Sequence, residues 1–174
     1  REGQVALRRP RPAPRSIPSG RAFGAPARER WEPAIAAAAQ QAGIAAQVTV
    51  SAAFGCPFEG EMPVARVVEI VQRVADAHPF EIALADTIGV GVPAQVTELV
   101  SRVREAVPGI PLRCHFHNTR NTGLANAFAA VQAGVRTLDA SLGGIGGCPC
   151  APAATGDIPT EDLGATLERC ANAS

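Results

Sequence analysis

Two histidines, His115 and His117, stand one residue apart in the stretch R113-C-H-F-H-N118. Successive side chains of a β-strand alternate between its faces, so residues i and i+2 share one. Two imidazoles on one face at a strand end can ligate a divalent metal ion, and they can equally be ordinary polar residues of a sheet. The same alternation turns Cys114 and Phe116 toward the packing side. Asp86 ends an earlier apolar run. A carboxylate at that strand end would face the same mouth as the histidines and suits general acid–base work. Its plainer use is to cap the following helix, but that helix opens only at Pro93, which speaks against the cap.

A third candidate region is S141-L-G-G-I-G-G-C-P-C-A-P-A-A-T-G-D157. Cys148 on this glycine-rich segment can act as a proton donor or nucleophile once the segment closes over a site; the alternative is a free surface thiol. Cys148 and Cys150 are one residue apart and have no CxxC partner elsewhere, which disfavours zinc. No Lys-Ser/Thr follows the glycines, which disfavours a phosphate loop. Asp157 offers an oxygen donor that can complete a metal shell, or it can cap the helix beginning at Thr160. In the other Gly-Cys-Pro stretch, F54-G-C-P-F-E-G60, turn geometry accounts for the glycine and proline. No catalytic role is expected for Cys56, and Glu59 is expected to shape the mouth.

These residues need strands to carry them. β-prone segments over 46–53, 80–85, 110–117 and 135–140 alternate with helical patterns over 29–43, 63–77, 93–107, 122–133 and from 160 onward. The unit recurs about every 25–30 residues, the mark of a parallel α/β architecture. Two arrangements compete: an open doubly wound sheet and part of a (β/α)8 TIM barrel, both of which place chemistry at the carboxyl ends of strands. Reactive residue types at four consecutive strand ends favour the barrel. Only about four units are present, whereas a whole barrel has eight and about 250 residues, so the expected fold is a partial barrel, roughly its last four βα units.

Sixteen arginines balance sixteen acidic residues, with no lysine, so the whole-chain charge favours no nucleic acid or other polyanion. Half of the basic residues fall in the first thirty positions. Residues 1–28 read as an Arg/Pro-rich irregular segment and 29–174 as the domain. The prolines of R9-P-R-P-A-P-R-S-I-P18 break any amphipathic targeting helix. Five cysteines form no even disulfide framework, which fits a reducing cytoplasm. No apolar run approaches the roughly 20 residues needed to cross a bilayer, so no membrane association is expected.

Together, F54-G-C-P-F-E-G60, L84-A-D-T-I-G-V-G91, C114-H-F-H-N-T-R-N-T-G123 and G143-G-I-G-G-C-P149 followed by A154-T-G-D-I-P-T-E-D-L163 resemble the 3-hydroxy-3-methylglutaryl-CoA lyase family. That family lies among metal-dependent barrels that also include condensing synthases. The resemblance runs from about Glu29 to the end of the chain. It implies retro-Claisen cleavage of 3-hydroxy-3-methylglutaryl-CoA, an acyl-CoA, to acetyl-CoA and acetoacetate, assisted by a divalent metal (Mg²⁺ or Mn²⁺). It implies metal ligation by His115, His117 and Asp157, acid–base roles for Asp86 and His115, and proton delivery by Cys148. The alternatives are a related condensing synthase or aldolase, or a non-catalytic fragment.

Two departures carry consequences. Asp157 stands where the family has a metal-binding Asn, which adds negative charge to the site. The family's first-strand Arg-Asp pair has no match here. A half-barrel leaves sheet edges open, so the chain alone is expected to be poorly stable or self-associating, as a homo-oligomer or with a complementary half-barrel, and to have little lyase activity.

Overall fold

The computed structural model describes residues 38–39, 41–147 and 155–171. Of the helix expected over 29–43, positions 38, 39 and 41–43 are described; 38, 39 and 41 are helical, and 42–43 form a turn. The strand β1 (Gln47–Val50) is followed by two short strands, β2 (Gly55–Cys56) and β3 (Gly60–Glu61). Then come α1 (Val64–Ala75), β4 (Glu81–Asp86), α2 (Pro93–Ala106), β5 (Leu112–Phe116), α3 (Gly123–Gln132), β6 (Thr137–Asp139) and α4 (Thr160–Ala171). A short 3-10 turn, Leu142–Gly144, follows β6.

β1, β4, β5 and β6 form one parallel sheet in that order. The order never doubles back. A doubly wound sheet contains a switch point where strand order reverses, whereas barrel strands follow one another around the axis. The monotonic order therefore selects the partial (β/α)8 barrel over the open sheet. Among the described residues, β1 and β6 pair on one side only.

The helices cover one face of the sheet because their apolar residues recur at helical spacing. α1 buries Val67, Val71 and Val74, and α2 buries Val96, Leu99, Val100 and Val103. α2 has Pro93 in its first turn, where a missing N–H costs nothing, and it stops before Pro108-Gly109. α3 buries the small residues Ala127, Ala129 and Ala130 together with Asn126. Against them pack Ile82 and Leu84 of β4 and Cys114 and Phe116 of β5, all with 0% exposure. Each fully buried side chain of this size contributes roughly 1.5–3 kcal/mol, so the covered face is what holds β4 and β5 in place.

The stretch 54–60, expected as a loop, is instead a small hairpin: Gly55 pairs with Glu61 and Cys56 with Gly60 in antiparallel register. Gly60 takes φ +79°, a left-handed conformation that a side chain resists. No helix among the described residues is long and apolar enough to cross a membrane.

Candidate metal centre

His115 is the penultimate residue of β5, and His117 lies just beyond its end. In register, His115 is level with Asp139 of β6 and Arg113 with Thr137. Residues 155–159 return beside these strand ends. Asn118 N–H donates to the Gly156 carbonyl at 2.9 Å and Ile158 N–H to Phe116 at 3.3 Å. His117 and Asp157 form an antiparallel bridge. The fully buried Ile158 side chain pins the segment, leaving Asp157 beside both imidazoles.

Nε2 of His115 lies 3.6 Å and Nε2 of His117 3.5 Å from Oδ1 of Asp157. One ligand atom from each of the three residues falls within 4.8 Å of the others. The remaining ring nitrogens are engaged elsewhere. Nδ1 of His117 is 2.9 Å from the Thr155 carbonyl oxygen, and Nδ1 of His115 is 3.5 Å from Oδ2 of Asp139. A carbonyl only accepts, so His117 donates through Nδ1 and keeps the Nε2 lone pair free. Two imidazole nitrogens and one carboxylate oxygen suit a divalent first-row ion, and the pinned outer nitrogens are the usual support of metal-ligating histidines. The three residues fit a divalent metal.

The site is acidic. The contact with Asp139 raises the His115 pKa despite the opposing effect of burial, with Asp157 and Asp86 adding to the rise. Burial pushes the Asp139 carboxyl up, but its contacts with His115 and Arg113 outweigh this and hold it below the ordinary value.

Asp86 does not take the expected position. Ala85 is level with His115 and Asp86 with Phe116, so strand alternation turns Asp86 to the packed face. Its carboxylate is fully buried and accepts from Val90 N–H at 3.0 Å and Gly91 N–H at 2.9 Å. It clasps the turn leading to α2, although Val92, not Asp86, is the cap residue of that helix. Burial raises its pKa against these backbone contacts. Asp86 remains within electrostatic reach of His115 and His117.

Cys148 lies outside the described residues, as does Cys150. The segment leading to them starts as a tight wrap. A Cβ on Gly146 would come within 2.6 Å of Asp157 Oδ2, and one on Gly156 within 1.8 Å of the Gly144 carbonyl oxygen. Glu161 of α4 accepts from Gly143 N–H at 3.0 Å. In the hairpin, Cys56 is half-buried and Glu59 exposed.

Sequence reasoning missed Arg113, Asp139 and Glu81. Arg113 Nε donates to Glu81 Oε2 at 2.7 Å, and its Nη1 contacts Asp139 Oδ1. Alternation puts Arg113 on the face of His115 and His117, a signal readable in R113-C-H-F-H117. Asp139 had no such signal, because its neighbour is set by strand register.

The family model described as HMGL-like matches residues 26–173. The chain belongs to the HMGL-like family. Among HMGL-like relatives, the (R)-citramalyl-CoA lyase of Chloroflexus aurantiacus is 51% identical over 70% of this chain and 38% of its own length. Human mitochondrial hydroxymethylglutaryl-CoA lyase is 44% identical over 78% of this chain and 42% of its own. A solved HMG-CoA lyase from Acinetobacter baumannii, in complex with coenzyme A and 3-methylmalate, superposes with a TM-score of 0.75 at 42% identity. It covers 80% of this chain and 45% of that one. The chain spans about two-fifths of the length of the curated relatives it matches.

Proposed function

We propose that this chain carries the metal-binding part of a carbon–carbon lyase acting on a 3-hydroxy-3-methyl acyl-CoA, with 3-hydroxy-3-methylglutaryl-CoA as the leading substrate. The observation that carries the reading is the convergence of His115 Nε2, His117 Nε2 and the Asp157 carboxylate at the carboxyl end of β5. His115, His117 and Asp157 would hold the ion, Mn²⁺ or Mg²⁺. When bound, a divalent ion supplies Lewis acidity to the substrate's tertiary hydroxyl and a neighbouring oxygen.

In the reaction the hydroxyl loses its proton and its oxygen becomes the ketone of acetoacetate. The adjacent carbon–carbon bond breaks, and its electron pair passes into the thioester enolate. A proton added at the enolate carbon gives acetyl-CoA. His115 is the acid–base group of this reading, with Asp86 behind it within electrostatic reach. Cys148 is the proton donor to the enolate carbon in this reading.

The relative named for citramalyl-CoA, at 51% identity, supports a second substrate, citramalyl-CoA. Because the described strands make half of a barrel's complement, turnover is assigned to the barrel completed by a complementary half or a second copy, within a domain over 29–174. The odd number of cysteines, five, supports a cytoplasmic setting. The test offers both acyl-CoA thioesters with Mn²⁺ or Mg²⁺, to the chain alone and to the chain mixed with the remaining barrel strands, and identifies the keto acid released. Metal-dependent acetoacetate release from the completed barrel is the expected result. No metal-dependent cleavage of either thioester by the completed barrel would refute the lyase reading.

A further inference from the structure

We infer that Asp139, held by Arg113, is a positioning residue that keeps His115 protonated on Nδ1 and so presents its Nε2 to the ion. The inference rests on the reading of His115, His117 and Asp157 as a metal centre, and goes beyond it by naming what orients one of the ligands.

Three adjacent strands build the device. Glu81 of β4, only 4% exposed, accepts from Arg113 Nε of β5 at 2.7 Å. Nη1 of the same guanidinium contacts Asp139 Oδ1 on β6. The two oxygens of Asp139 are thereby divided. Oδ1 faces Arg113, while Oδ2 lies 3.5 Å from His115 Nδ1. A carboxylate accepts and does not donate, so the ring tautomer that suits this contact carries its proton on Nδ1. The Nε2 lone pair is then free on the side of Asp157, 3.6 Å away. Register places Asp139 level with His115, so the contact needs no long reach across the sheet. An imidazole without a partner at Nδ1 populates both tautomers and loses its preferred ring orientation, and support of this kind typically changes metal affinity 10–100-fold.

His117 supplies an internal control. Its Nδ1 is pinned by the Thr155 carbonyl, which a substitution at position 139 does not remove.

The test uses the whole chain with ¹⁵N-labelled histidine, metal-free and at alkaline pH where free imidazole is neutral. Tautomers are read from long-range ¹H–¹⁵N correlations, and Mn²⁺ affinity is then measured by titration. In the wild type both His115 and His117 should carry the proton on Nδ1. Asp139→Ala should shift His115 toward a tautomer mixture, leave His117 unchanged, and weaken Mn²⁺ binding about 10–100-fold. Asp139→Asn keeps only one accepting oxygen; with that oxygen on Arg113 its amide N–H group meets Nδ1, so His115 should move toward the Nε2-protonated tautomer and Mn²⁺ binding should weaken. Arg113→Gln should move His115 in the same direction as Asp139→Ala. The inference is overturned if His115 is unmoved in Asp139→Ala, or if His115 and His117 shift together, which marks general loosening. Absence of Mn²⁺ binding by the wild type would sink the metal reading instead, while the metal-free tautomers would still decide the positioning role.

Discussion

His117 and Asp157 meet twice, once through a backbone bridge and once through side chains 3.5 Å apart. The ligand contact is therefore not a chance approach of two mobile side chains, because the same pairing that closes the backbone sets the distance. Loss of either side chain should weaken the site without dissolving the fold. His117→Ala and Asp157→Ala are each expected to lower Mn²⁺ affinity by at least about tenfold with the helical circular dichroism unchanged. Asp157→Asn removes one negative charge and keeps an oxygen, and should bind more weakly than wild type but more tightly than Asp157→Ala. Calorimetric titration of the metal-free protein measures all three.

Gly146→Ala tests the closeness of the glycine-rich wrap. The new Cβ would sit 2.6 Å from Asp157 Oδ2, so the carboxylate must swing away. Metal affinity should fall severalfold, and the positive φ of Gly146 (+158°) adds a backbone cost that lowers the unfolding midpoint. Gly156→Ala meets a backbone oxygen at 1.8 Å, which cannot be avoided by a rotamer change. It should therefore cost about 1–3 kcal/mol of stability by urea unfolding as well as affinity.

Asp86 should matter to stability as well as to any proton transfer. Asp86→Ala leaves the Val90 and Gly91 N–H groups without their acceptor, at about 1–3 kcal/mol for each buried donor left unsatisfied. The pH dependence has a definite sign. Because burial raises the folded-state pKa of Asp86, the folded state holds that proton more tightly than the unfolded chain. Its contribution is fully present below the ordinary carboxylate value and is lost as pH rises through the raised one. Metal-free wild-type protein should lose stability relative to Asp86→Asn across that window. Parallel denaturant curves for the two proteins at every pH would refute the assignment.

Cys114 gives a probe of the covered face. Burial pushes its thiol up to about 12, with the Asp139 charge adding to the effect, and the side chain has no exposure. At pH 8 a maleimide should label half-exposed Cys56 in the native protein and reach Cys114 only on unfolding, as peptide mapping would show. Prompt labelling of Cys114 in native buffer would mean that the sheet and its helices separate readily.

Much of the fold was legible because the apolar residues keep strict periods. Val96, Val100 and Val103 announce α2, and alternation alone placed His115 and His117 on one face and Cys114 and Phe116 on the other. Asp157 was legible as a potential ligand from its type and place after the glycines. Asp86 was misjudged because alternation within β4 says nothing of its phase relative to β5. The pairing of Ala85 with His115 sets that phase, and one residue of difference reverses the face. Asp139 escaped notice for the same reason, since it becomes a neighbour of His115 only through register. The 54–60 hairpin was hidden because two-residue strands carry no period.

The two histidines are anchored by unlike means. His115 leans on a side chain, Asp139, which a single codon change can replace, so its setting is open to gradual adjustment during evolution. His117 leans on the main-chain carbonyl of Thr155, which no substitution at that position deletes. That anchor can be released only by moving the 155–159 segment itself. Within one centre, mutation can retune one imidazole, while the other answers to the shape of the chain.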